Sequence, residues 1–296
     1  MFSLNLAGNI LELHRELADR TYRHGPYQAF KINDPKPRDI HKASVRDRLL
    51  HHAIYRVLYP CFDSKFIFDS YSCRREKGTH RAINRFREYA RKVSRNHTQT
   101  VWVLRCDIKK FFASIDHKIL KTMVNNHLED NNVAWFLEEI IESFSTEGNF
   151  GVGLPLGNLT SQLFVNIYMN KFDQFVKREL KVQYYVRYAD DFVILHENKI
   201  NLEKLLADIS VFLKNELNLE LNYKKVSISS FASGVDFLGW VNFPHCRVLR
   251  NSTKRRIVNR AREGLSERSK ASYLGHLSHG NAYTVVTKYL GKEIIG

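Results

Sequence analysis

The sequence has few cysteines, no long apolar run and fewer acidic than basic residues. Four cysteines occur in 296 residues and none forms a C-x-x-C pair, which argues against a zinc site or a disulfide framework and favours a reducing compartment. No run of about 18 apolar residues is present, so we expect no membrane span. The N-terminus lacks a charged segment followed by an apolar one, so we expect no secretion signal and a cytoplasmic protein. The 13 histidines form no H-E-x-x-H motif.

The charge is strongly basic and unevenly distributed. Lys plus Arg number 46 against 31 Asp plus Glu, a formal charge of +15, which points to a polyanionic partner such as nucleic acid. Basic residues concentrate in segments 74–95 and 247–270, on either side of a more apolar centre. This arrangement favours a cleft that binds a phosphate backbone over a uniformly solvated surface. Charge alone does not distinguish DNA from RNA, because phosphate contacts carry no sequence information.

Hydrophobic periodicity predicts an α+β protein in which helices alternate with paired strands. Segment 24–38 reads as loop and short strands, because it contains glycine and several prolines. The sequence shows no internal repeat and no low-complexity linker. Helices are predicted over 4–22, 45–59, 78–94, 116–128, 131–145, 159–180, 202–217 and from 252, and strands over 101–106, 184–188, 192–195, 225–231, 235–242 and 246–249.

Three aspartates end predicted strands. Asp190 and Asp191 lie at the tip of a predicted hairpin, and Asp107 follows an apolar strand. Adjacent carboxylates repel, so an apolar setting is costly unless a cation is present; a solvated turn is the alternative reading. If the strands are neighbours, hard oxygen ligands converge as Mg²⁺ requires. Two such ions could activate a primer hydroxyl and stabilise a leaving pyrophosphate.

These residues resemble a known family. Tyr188-Ala189-Asp190-Asp191 is similar to the YADD box of reverse transcriptases, and Leu104–Phe112 resembles their first catalytic motif, as in group II intron enzymes. Further segments resemble fingers motifs and the primer grip, in family order over residues 36–240: Lys36-Pro37-Arg38 with Val45–Arg48, Ser70–Arg74, and Phe237-Leu238-Gly239-Trp240. The resemblance implies a right-hand polymerase: residues 1–100 as N-terminal helix and fingers, 101–242 as palm with a fingers segment near 130–160, and 243–296 as a short helical thumb.

The resemblance also implies roles for single residues. Asp107, Asp190 and Asp191 would be catalytic and, with the Ile108 carbonyl, would hold two Mg²⁺, for which Mn²⁺ could substitute. Phe112 would stack under the sugar and exclude a 2′-hydroxyl. Nucleotide contacts would come from Lys36, Arg38, Arg74, Leu156, Gln162 and Lys225, the last as a proton donor to pyrophosphate. Solvated surface charge is the alternative for Lys36 and Lys225.

One segment narrows the resemblance. Between Gly153 and Gln162, Leu156 stands where the family has glutamine, and Gln162 where it has proline. This departure, with 163–168 and 272–276, resembles the reverse transcriptases of diversity-generating retroelements. It implies cDNA synthesis from a template-repeat RNA, primer and dNTPs with errors opposite adenine, by a bacterial or phage-encoded enzyme with a small accessory variability-determinant protein.

The Leu156 side chain cannot hydrogen-bond a nascent base pair, which would relax the selection of the incoming nucleotide. In the alternative, Leu156 and Gln162 only pack the junction between a strand and a helix. Two other functions stay open. One is a related reverse transcriptase that serves phage defence or retron cDNA synthesis, and the other is a catalytically idle nucleic-acid-binding scaffold. The intact aspartates argue against the scaffold.

Overall fold

The computed structural model describes residues 5–33 and 37–291. These residues form mixed helix and sheet, in which no helix has the length and apolarity to cross a membrane. The helices are α1 (Leu6–Ala18), α2 (Val45–Asp63), α3 (Thr79–Val93), α4 (His117–Asn125), α5 (Asn131–Glu142), α6 (Leu159–Gln174), α7 (Lys199–Leu217), α8 (Asn251–Glu263), α9 (Glu267–Leu277) and α10 (Tyr283–Tyr289). The strands are β1 (Gln28–Ile32), β2 (Arg38–Lys42), β3 (Trp102–Asp107), β4 (Tyr185–Tyr188), β5 (Asp191–His196), β6 (Ser227–Ser230), β7 (Val235–Phe237), β8 (Trp240–Asn242) and β9 (Arg247–Leu249).

A four-stranded sheet, in the order β4-β5-β3-β6, forms the centre. All its neighbouring strands are antiparallel. Alternate side chains point to opposite faces, and both faces are covered: Leu104 and Cys106 enter one core, whereas Val103 and Val193 enter the other. A strand buried on both faces reads as a continuous apolar run, and this pattern is what predicts β3 and β5 from the sequence.

The first face is covered mainly by α6 and α7. Helix α6 is apolar almost all round, so it is buried nearly all round, with Phe164, Tyr168 and Phe172 in the core. The sequence predicts one helix over 159–180, but the α-helix ends at Gln174 and the chain continues as a π-helical turn over Phe175–Glu179. Helix α2 runs past its predicted end at 59 to Asp63 and contains Pro60 in its last turn, where the missing Pro60 N–H leaves the Arg56 carbonyl without its intrahelical bond.

The second face is covered by α3 and by the C-terminal three-stranded sheet β7-β8-β9. Ile83, Phe86 and Ala90 form the buried stripe of α3. The prediction of one strand over 235–242 is wrong: Phe237 pairs with Trp240 across a two-residue turn. Leu238 and Gly239, the turn residues, have φ of 51° and 89°, the positive values that a tight hairpin of the right twist requires.

Candidate active site

The three aspartates lie at one end of the central sheet. Asp107, the last residue of β3, is opposite Asp191, the first of β5. Only Ala189 and Asp190 separate β4 from β5, and Ala189 takes a φ of 53° to close this turn. The Ile108 amide donates a hydrogen bond of 3.2 Å to the Asp190 carbonyl oxygen. Strand pairing thus brings together two aspartates from the turn and one from β3.

Burial and mutual repulsion act on the two turn carboxylates. Burial, with the neighbouring charges of Asp191 and Asp107, raises the pKa of Asp190 to about 6. Burial also raises the pKa of Asp191, which the Arg105 guanidinium, 3.6 Å away, partly offsets. The Oδ1 of Asp191 is buried without a hydrogen-bond partner. The Arg105 ion pair offsets the burial of this oxygen only in part, because a buried carboxylate oxygen without a hydrogen bond is costly, so this end of the sheet favours a cation.

Asp107 is partnered by a lysine distant in sequence. Its side chain is buried; Oδ2 accepts a 2.6 Å hydrogen bond from Lys225 Nζ, and Oδ1 accepts one of 3.2 Å from Asn222 Nδ2. The Lys225 side chain is 41% exposed, so its ammonium can leave the carboxylate. The structure therefore places Lys225 inside the acidic site and not on a remote surface.

The donor set fits divalent cations. The residues supply carboxylate oxygens, the ligands that Mg²⁺ prefers, and Mg²⁺ usually takes one or two carboxylates and completes its shell with water and substrate phosphates. In the part of the chain that the structure describes, no group of three His, Cys, Asp or Glu side chains is arranged closely enough to hold a metal ion by itself. A metal ion at this end of the sheet would therefore need further ligands from water or from substrate phosphates.

An open cleft of about 980 Å³ adjoins Asp190 and Asp191. Its walls come from β2, the segments around 72–79 and 156–162, the β7–β8 turn and helix α8. The residues singled out in the sequence that line it are Arg38, Phe112, Leu156, Gln162, Leu238 and Gly239, and α8 with its flanks adds Arg250, Arg256 and Arg260. The cleft thus combines a carboxylate end with cationic walls, which suits an anionic substrate that carries metal ions.

Leu156 is fixed to the strand that carries Arg38. Its carbonyl oxygen accepts a 2.9 Å hydrogen bond from the His41 amide, and Asn158 Nδ2 donates to the His41 carbonyl at 2.7 Å. Gly157 has a φ of 106°, and a Cβ there would come within 2.8 Å of Ile40. The half-buried Leu156 side chain therefore has a defined place on the cleft wall.

A comparison with protein families decides the identity. Residues 31–243 match the model described as "Reverse transcriptase (RNA-dependent DNA polymerase)". The chain belongs to the reverse transcriptase family. The match contains all three aspartates of the site, so the RNA-directed DNA polymerase class predicted from the motifs is confirmed.

Curated relatives agree with this family. Protein YkfC of Escherichia coli K12 is 26% identical over 283 residues, covering 81% of this chain and 72% of the relative. The group II intron-encoded protein LtrA of Lactococcus lactis is 23% identical over 316 residues, covering 83% of this chain but 51% of the relative. This reverse transcriptase thus spans about half the length of the intron-encoded protein.

Solved structures show the fold. Telomerase from Candida tropicalis, truncated from its C-terminal domain, superposes with a TM-score of 0.57 at 13% identity, covering 78% of this chain and 55% of that one. Telomerase from Candida albicans in complex with a telomeric RNA fragment gives 0.57 at 12% identity, covering 82% and 50%. The predicted α+β right-hand polymerase fold is confirmed.

Arg74, one of the predicted nucleotide ligands, is held by bonds within the protein. Arg74 has a side chain 6% exposed, and its guanidinium donates to Asp63 and to the Ile67 and Ser70 carbonyl oxygens. These structural bonds, and its absence from the cleft wall, correct its assignment as a triphosphate ligand. Lys36 lies outside the described residues.

The predicted primer grip divides between two environments. Leu238 and Gly239, at the turn, line the cleft. Phe237 and Trp240, which flank the turn, are fully buried in the second core. The outer pair therefore supports the hairpin, whereas the two turn residues lie at the cleft.

Sequence reasoning missed Arg187, which positions the catalytic turn. Its side chain is fully buried and pairs with Asp173, with bonds of 2.7 Å and 2.6 Å. The same guanidinium donates to the Ala189 carbonyl at 3.1 Å and to Ser70 Oγ at 3.0 Å. The sequence did contain a signal for it, because Arg187 stands inside an apolar strand. A charged residue in such a place is almost never fully buried unless it has a charged partner.

Proposed function

We propose that this reverse transcriptase copies template RNA into cDNA by two-metal-ion nucleotidyl transfer. The observation that carries the proposal is that Asp190 and Asp191 line a cationic cleft and that Asp107, paired with Asp191 across the sheet, is near enough to act on the charge of Asp190. In the proposed division of the hand, residues 1–100 form the N-terminal helix and fingers, 101–242 the palm, with a fingers segment near 130–160, and 243–296 the thumb.

The acidic site would hold two Mg²⁺, or Mn²⁺, through the three carboxylates and the Ile108 carbonyl. When bound, these ions supply activation of the primer 3′-hydroxyl and neutralisation of the leaving pyrophosphate. Lys225 Nζ, 2.6 Å from Asp107 Oδ2, would neutralise that carboxylate before substrate arrives and would then donate a proton to the pyrophosphate. Arg38, which lines the cleft, would attract the triphosphate.

Two further groups would orient the substrates. Phe112 is half-buried, packs edge-on to the buried Phe111 at 5.6 Å and lines the cleft, which supports a role as a wall against a 2′-hydroxyl. The Leu238-Gly239 turn faces the same cleft, and a Cβ atom added to Gly239 would meet no other atom within 4 Å. This open space lets a primer backbone approach the turn closely.

We further propose that the enzyme belongs to a diversity-generating retroelement and copies a template-repeat RNA with errors opposite adenine. Leu156 and Gln162 both line the cleft, which supports contact with the nascent base pair over packing alone. An apolar Leu156 offers no hydrogen bond to check the incoming nucleotide. A small accessory variability-determinant protein would accompany the enzyme, and the four free cysteines fit a reducing cytosol.

The substitution Leu156→Gln is expected to reduce errors opposite template adenine about tenfold. A hydrogen bond made only to the correct pair contributes about 1.4 kcal/mol, which is tenfold in rate. The measurement is sequencing of cDNA made by each enzyme from one RNA template with all four bases in matched contexts.

Leu159→Gln is the matched control, because Leu159 lies outside the cleft wall beside the same segment. It should leave the error spectrum unchanged. An adenine error frequency in Leu156→Gln equal to that of wild type would contradict the role of Leu156.

Genomic context separates the related functions. An imperfect repeat that differs at adenines, beside a short accessory reading frame, supports the retroelement. A defence or retron locus without such a repeat would assign the cDNA synthesis to that alternative.

A further inference from the structure

A second cavity lies at the far end of the central sheet from the aspartates. It has a volume of about 630 Å³ and forms where β4 begins and β5 ends. Asp191 and His196 lie at opposite ends of β5, which separates the two sites by roughly 17 Å. This cavity belongs to neither the catalytic cleft nor the residues assigned above.

Cations from three parts of the chain line this cavity. Lys92 and Arg95 come from the end of α3, Lys181 follows the π-helical turn, and Lys204 lies on α7. Lys92 pairs with Glu88 at 2.7 Å, whereas within residues 5–33 and 37–291 the side chains of Arg95, Lys181 and Lys204 form no ion pair. Against Glu197 and Asp208 on the rim, the four cations leave an excess of positive charge.

The floor of the cavity is apolar and aromatic. Val93, Leu180, Leu195 and Leu205 line it, together with Tyr184. The Tyr184 ring is held edge-on by Tyr89, with centroids 5.2 Å apart. An aromatic and apolar floor beneath a cationic rim is the arrangement that binds single-stranded nucleic acid, because bases stack on the floor while phosphates meet the cations.

We infer that this second cavity, called the groove below, binds a single-stranded segment of the template RNA outside the duplex held in the catalytic cleft. The four cations are all exposed, which suits a hydrated phosphodiester backbone better than an enclosed small metabolite. The identity of the strand as template RNA rests on the proposed function.

The test uses charge reversal at the two lysines that lack ion pairs. K181E/K204E and wild type bind a fluorescent 12-nucleotide single-stranded RNA while excess unlabelled primer–template duplex fills the cleft. We expect the double variant to bind at least tenfold more weakly. Two lost phosphate contacts should reduce the slope of log affinity against log salt by about 1.4.

K118E/K214E is the matched control, because it changes the net charge equally at exposed lysines elsewhere. If K181E/K204E binds the RNA within twofold of wild type, or if the control loses affinity equally, the proposal that this groove binds RNA is wrong. A DNA strand of the same sequence that binds more tightly than RNA would overturn the assigned occupant.

A second measurement uses the wild-type protein, so it does not depend on whether the double variant folds. It also distinguishes failure of the groove from failure of the proposed polymerase activity. Cross-linking of 4-thiouridine RNA to wild type should map to Tyr184 or its neighbours, and cross-links confined to the catalytic cleft would overturn the groove. Primer extension is scored separately on a short template without an overhang. RNA binding in the groove without any extension by wild type would refute the polymerase and leave the groove intact.

Discussion

Replacing Asp190 by asparagine is expected to abolish nucleotide incorporation and, in the absence of divalent cations, to stabilise the fold. The first effect follows because one of three converging carboxylates is lost from the cation site; we expect a fall of about 10³-fold or more, equivalent to about 4 kcal/mol. The second follows because the wild-type carboxylate is buried beside Asp191 and Asp107. Removal of a charge that the folded state disfavours raises the free energy of unfolding.

The sign of the stability effect depends on pH. The pKa of Asp190 is raised to about 6 in the folded state from an ordinary value of 3.8. Between pH 4 and 6 the folded protein therefore binds more protons than the unfolded chain, so wild-type stability falls as pH rises through this window. The gain from asparagine should be up to about 3 kcal/mol above pH 6 and should vanish near pH 4.

Urea unfolding in EDTA at pH 4.5 and pH 7.5 measures this gain, and single-nucleotide extension measures activity. Asp19→Asn, at an exposed carboxylate beyond α1, is the control and should change neither property. An Asp190→Asn enzyme that extends primers normally would refute the site. One that is less stable than wild type at pH 7.5 would refute the electrostatic account.

Arg187→Met is expected to lower the free energy of unfolding by about 3–5 kcal/mol, the usual cost of leaving one partner of a buried ion pair alone. Asp173 would keep only the Tyr185 hydroxyl, which donates to it at 2.7 Å. The Ala189 carbonyl would lose its guanidinium partner. Denaturant unfolding measures the loss, and an effect below 1 kcal/mol would contradict the account.

The double variant Asp173→Leu with Arg187→Met separates stability from positioning. Replacing both charges by apolar side chains should recover part of the stability, but not all of it, because the buried Tyr185 hydroxyl loses its acceptor. The catalytic turn would still lack the Arg187 bond to Ala189, so kcat should remain about tenfold below wild type while KM changes little. Full recovery of kcat would show that Arg187 acts only through stability.

The catalytic geometry could be predicted from the sequence because its signals are local. Apolar strands end at Asp107 and begin at Asp191, and antiparallel pairing of such strands brings their ends together. The β4–β5 hairpin needed only a two-residue turn with strand residues on both sides. The position of the three aspartates could therefore be predicted from the apolar strands that flank them, and their role from the affinity of carboxylates for Mg²⁺.

Other features could not be predicted because they depend on partners distant in sequence. Lys225 meets Asp107 across 118 residues, so its partner became visible only in the folded chain. Arg74 resembled a phosphate ligand until its bonds to Asp63, Ile67 and Ser70 were seen. Phe237 and Trp240 read as parts of one strand, because Leu238 is not a typical residue for the positive φ that this turn requires.

Extension of a DNA primer on an RNA template by the wild-type enzyme tests the central claim most directly. The account predicts that dNTPs are added in Mg²⁺ or Mn²⁺, that EDTA stops the reaction, and that the cDNA follows the RNA sequence. Failure to extend the primer while the enzyme demonstrably binds the primer–template would contradict it.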